Sequence, residues 1–146
     1  MRTRLSIPVL AFLFIALSSP CFAMMEIGDL SKEQAKAFGV VLRASKNGMA
    51  GVQVRLEFKT ESKLKNFARV ELRITAGKGP LVSAPLLASR PKPGIVAVRF
   101  SAGPAYLSES TLMIVVQDSP MSRVGYQLKV KDFIDLEEFL ATPPEQ

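Results

Sequence analysis

The chain of 146 residues has no histidine, no tryptophan and one cysteine. Without imidazole there is no Ser-His-Asp hydrolysis, no ordinary zinc site and no histidine-ligated haem. The one cysteine, Cys21, lies in a leader-like segment, so the chain beyond it has no thiol nucleophile and no disulfide to form. Gly77-Lys78-Gly79 has neither the spacing nor the following Ser/Thr of a phosphate-binding loop. Two tyrosines and no tryptophan leave little with which to build an aromatic platform for sugars. These deficits set the expectation of a protein that is not an enzyme, with no cofactor and no metal.

What the chain does have is alternation. In Gly51 to Thr75, Val52, Val54, Leu56 and Phe58 fall on one side and Gln53, Arg55, Glu57 and Lys59 on the other. Ala68, Val70, Leu72 and Ile74 then repeat the pattern against Arg69, Glu71, Arg73 and Thr75. A period of two over such apolar residues is that of a strand with one dry and one wet face.

The N-terminus has the pattern of an export signal. Arg2 and Arg4 precede the uncharged apolar run Ile7 to Leu17, and Cys21-Phe22-Ala23 supplies small-x-small cleavage after Ala23. That run is too short for the roughly 20 residues of a membrane span. The expected location is therefore secreted or periplasmic, the alternative being a lipoprotein anchored through Cys21. Residues 1–23 are assigned to this signal peptide.

Charge divides unevenly over the chain beyond the leader. Of 19 basic residues two lie in the leader, so 17 face 13 acidic ones beyond it, a net charge of +4. Five of those acids, Asp132, Asp135, Glu137, Glu138 and Glu145, form a tail without a cation, which leaves residues 24–131 with 17 basic and 8 acidic groups, or +9. A basic domain with an acidic tail suggests either a tail lying across a basic face or a face that meets an anionic surface.

Residues 24–37 are expected to be a short helical segment, with Asp29 or Ser31 as cap and Glu33 in the first turn. The domain proper spans 38–131. Strands are expected at Phe38 to Ala44, Gly51 to Thr60, Phe67 to Thr75, Leu81 to Ala88, Ile95 to Ser101, Thr111 to Gln117 and Arg123 to Lys131. Pro85 places the fourth at an edge or bulge, Thr111 to Gln117 is apolar on both faces as a central strand would be, and Arg90-Pro91-Lys92-Pro93-Gly94 reads as a stiff turn. Residues 132–146 form an acidic amphipathic tail. About seven strands at this spacing argue for an all-β antiparallel sandwich.

This pattern resembles immunoglobulin-like and fibronectin type III-like sandwiches in architecture. The cysteine pair and core tryptophan of antibody domains are absent, and Tyr106 is placed where a tyrosine corner would stand.

The remaining carboxylates point away from catalysis. Glu57 lies between Arg55 and Lys59, and Glu71 between Arg69 and Arg73; such neighbours suit cross-strand ion pairing better than proton transfer. Asp132, Asp135, Glu137 and Glu138 lack the spacing of a calcium loop. The candidate partner-binding residues are Lys63 and Lys65 in a lysine-rich loop, Tyr106 in Gly103 to Leu107, and Met121 at a turn. The expected function is that of an exported non-catalytic binding or accessory module acting by protein–protein interaction in the cell envelope or outside the cell. An edge strand such as Leu81 to Ala88 would carry it. The alternative is recognition of an anionic polymer or membrane surface through a basic face; export disfavours nucleic acid.

Overall fold

The computed structural model describes residues 24–47, 51–75 and 82–143. The leader with Cys21 and Ala23, the Gly77 to Pro80 break, Leu81 and the last three residues lie outside the described residues. Nine strands are present among the described residues, in two sheets. β1 (Met24–Asp29), β4 (Phe67–Ile74), β5 (Val82–Leu86), β8 (Ser110–Ser119) and β9 (Ser122–Lys129) form a five-stranded sheet ordered β1-β9-β8-β4-β5. β2 (Val41–Lys46), β3 (Val52–Lys59), β6 (Ser89–Lys92) and β7 (Ile95–Ala102) form a four-stranded sheet ordered β2-β3-β7-β6. The class is all-β.

The dry interior comes from alternate side chains. Val52, Val54, Leu56 and Phe58 of β3 are all buried, and they share one core cluster with Val96, Val98 and Phe100 of β7, Val70 of β4, Leu112 and Ile114 of β8 and Leu128 of β9. β8 is central to its sheet, and its second face is covered as well: Met113 and Val115 are as inaccessible as the core residues. β5 is an edge strand, as its proline requires.

Three expectations are corrected and one open alternative is decided. Met24–Asp29 is a strand in parallel register with β9, so the sheet is not wholly antiparallel and the helix α1 is confined to Lys32–Ala37. Ser31, not Asp29, caps that helix, exchanging side-chain and backbone bonds with Gln34. Arg90 to Lys92, expected within a turn that runs to Gly94, form a short edge strand with Ser89, and only Pro93 and Gly94 turn the chain there. Finally, β4 carries a bulge: Phe67 opposes Val116 and Arg69 opposes Val115, so Ala68 is an extra residue, and it is exposed. Phe67 takes the inward place instead, its ring 5.1 Å edge-on from Phe58.

The tail docks. After α2 (Pro104–Leu107) and β8-β9, the short helices α3 (Val130–Phe133) and α4 (Leu136–Ala141) lay Phe133, Ile134, Leu136 and Phe139 against the core. No helix among the described residues is long and apolar enough to cross a membrane.

Candidate functional site

The connection from β3 to β4 is a tight 3₁₀ turn, Ser62–Leu64, anchored by a buried Leu64. It is tied down on both flanks: Thr60 N–H donates to the Gly94 carbonyl at 2.8 Å, and Gln117 N–H donates to the Asn66 carbonyl at 2.9 Å. Ser62 enters the turn with φ +49°, a left-handed conformation that costs a side-chain-bearing residue about 1 kcal/mol or more. Fixed in this way, Lys63 and Lys65 line a groove of about 460 Å³.

Glu26 of β1 and Asp118 of β8 line the same groove, with Tyr126 on β9, the strand between those two. Tyr126 stacks edge-on against Phe38 at 5.6 Å. Burial, then the negative charges of Asp118 and Glu26, push its phenol above the ordinary tyrosine value. Gly28 stands opposite Tyr126 in register, and nothing lies within 4 Å of where its Cβ would be, so that stretch of the groove stays open. A groove lined by two lysines, two carboxylates and a phenol can hold a ligand that presents both signs of charge.

Of the residues singled out in the sequence, Lys63 and Lys65 are brought together here. Met121, 55% exposed in the β8-β9 turn, is at the same end of the strands. Tyr106 is at the opposite end, in α2, half exposed, and its carbonyl rather than its hydroxyl is engaged, accepting from Ser110 Oγ at 2.7 Å. It is not a tyrosine corner. Glu26, Asp118 and Tyr126 stand out only in the folded chain: Glu26 lies in the segment expected to be helical, and no local pattern marks Asp118 or Tyr126.

The wet-face carboxylates pair along their own strands rather than across them. Glu57 pairs with Arg55; Glu71 accepts from Arg69 Nε at 2.6 Å and from Arg73 Nη2 at 3.5 Å. Among the described residues no group of three or more Asp, Glu, His or Cys is placed to hold a metal ion. Comparison of the chain with protein-family models, with curated proteins and with solved structures finds no match.

Proposed function

We propose that this protein is an exported, non-catalytic binding module of immunoglobulin-like or fibronectin type III-like type, which engages a protein partner by adding the partner's strand to the free edge of β5. The strand order supports the architectural part. Lettering β2 to β9 in chain order as A, B, C, C′, D, E, F and G gives one sheet ordered A-B-E-D and another ordered G-F-C-C′ with β1 beside G, the division a sandwich of this class uses. The Arg2/Arg4 and Ile7 to Leu17 pattern supports export.

The observation that carries the binding reading is the β5 edge itself. Among the described residues β5 pairs only with β4, and the large apolar side chains of Val82 at its start and Leu87 just past its end are 55% and 94% exposed. A short strand with one unpaired backbone row and apolar side chains beside it offers both hydrogen bonds and anchors to an extended peptide. The test is a photo-crosslinking residue placed at position 87, with position 106 as control, in the native envelope. The expected result is one discrete adduct from position 87, insensitive to salt and lost in Ser83→Pro, whose backbone N–H shares the free side with Pro85. No adduct, or the same adduct from both positions, refutes the edge-strand reading.

A further inference from the structure

The outer face of the four-stranded sheet carries a pattern invisible in any one strand. Arg43 of β2 is in register with Arg55 of β3, and Arg55 with Arg99 of β7. Three guanidinium-bearing residues therefore stand side by side across three strands, spaced by roughly the 4.8 Å of neighbouring strands. Like charges placed directly opposite one another destabilise a sheet. One acid, Glu57, relieves the row, and it pairs with Arg55 alone. Arg43 and Arg99 are exposed, and Arg55 Nε is shielded from solvent without a hydrogen-bond partner. Arg43, Arg55 and Glu57 also border a shallow cavity of about 150 Å³. On one flank runs a second in-register row, Ser45, Gln53 and Ser101, neutral and rich in donors.

We infer that this row binds a linear polyanion crossing the strands, with its tetrahedral oxyanion groups, phosphate or sulfate in type, falling on successive guanidiniums and the Ser/Gln row bonding the chain beside them. Planar guanidinium forks match such oxyanions in bidentate geometry. A single oxyanion is too small to span a line of about two strand spacings, roughly 10 Å. A membrane surface fits less well: the cations are in single file, and Val41 is the one large exposed apolar residue among those named on this face. The row lies on the sheet that does not contain β5, so each reading can fail without the other.

The test uses purified protein at low salt with three probes: long-chain inorganic polyphosphate, orthophosphate, and vesicles of equal parts phosphatidylglycerol and phosphatidylcholine. Polyphosphate is expected to bind far more tightly than either other probe. Arg43→Ala with Arg99→Ala is expected to weaken it about tenfold, each lost charge-assisted contact costing severalfold. Lys63→Ala with Lys65→Ala removes the same charge elsewhere and is expected to change it less than about twofold. Both arginines are exposed, so unchanged circular dichroism of that variant confirms that folding is intact. Equal loss in the two double variants, vesicle binding as tight as that of polyphosphate, or no polyphosphate binding overturns the proposal.

Discussion

Gly51 is the position at which one methyl group should do the most damage. It leads into β3 with φ +104°, and a Cβ built there would stand 2.7 Å from the Ala102 carbonyl oxygen. That oxygen has nowhere to go, because Ala102 pairs with Val52 as the last rung of the β3-β7 ladder. Holding a non-glycine residue in such a backbone region costs about 1–3 kcal/mol. Overfilling a packed site costs about 1–3 kcal/mol more. Gly51→Ala should therefore lose about 2–6 kcal/mol. Gly94 is the internal control: φ is +74°, but nothing lies within 4 Å of its would-be Cβ. Only the left-handed conformation is penalised there, at about 1–2 kcal/mol. Urea unfolding followed by far-UV circular dichroism measures both, and because each variant replaces glycine by alanine the change in unfolded-chain entropy is common to the two. Two variants equal within about 0.5 kcal/mol, a difference that additive independent sites can show by error alone, would refute the steric reasoning.

Two further predictions concern charge. Glu71 is 14% exposed and accepts from both Arg69 and Arg73 over the buried Met113, so Glu71→Ala leaves two guanidiniums on one strand face without an anion. A loss of about 1–3 kcal/mol in urea unfolding is expected, partly recovered when Arg73→Leu is added; no loss would mean the pair contributes nothing. Tyr126, whose pKa is raised by burial and then by Asp118 and Glu26, keeps its neutral form longer in the native state than in the unfolded chain. The associated stability is complete below the ordinary tyrosine value of about 10 and is lost as pH rises through the raised native value. Tyr126→Phe should flatten that alkaline decline in the urea midpoint, and Glu26→Gln should lower the Tyr126 absorbance midpoint without returning it to the ordinary value, since burial remains.

Strands whose sequence carries both halves of the argument were legible. Val52 to Phe58 alternates over a long enough run that no other periodicity fits, and all four inward residues are buried. Thr111 to Gln117 announced a strand covered on both sides, and Met113 and Val115 bear that out on the face away from the core. β1 was not legible because MMEIGD has little pattern of its own; its conformation is set by the free edge of β9, nearly a hundred residues on. Local helix preference at Glu33 to Ala37 was right where Ser31 caps it and wrong where extended upstream. The bulge at Ala68 defeats any strict period of two: the larger Phe67 ring has more apolar area to hide, and one extra residue lets it turn inward. The groove depended on the same unseen pairing. Glu26 reaches Asp118 and Tyr126 only through β1-β9, whereas Lys63 and Lys65, adjacent in one loop, stood out by composition.

The division of charge along the chain survives folding, and the docked tail explains how. Its apolar residues face the core, which turns Glu137 and Glu138 outward, and Lys46 fixes its end by donating to the Leu140 carbonyl at 3.0 Å and to that of Thr142, with its ammonium 5.6 Å over the Phe139 ring. A cation at carbonyls left open by a helix C-terminus is well placed without any carboxylate partner. The tail is thus held by burial and by one lysine, not by ion pairing across the domain. Asp132, Asp135 and Glu137 gather with Lys32 and Lys131 around a separate cavity of about 450 Å³. No ion pair among the described residues joins the tail to Arg43, Arg55 or Arg99. The acidic segment closes the core with its apolar side, and its carboxylates leave the arginine row unneutralised.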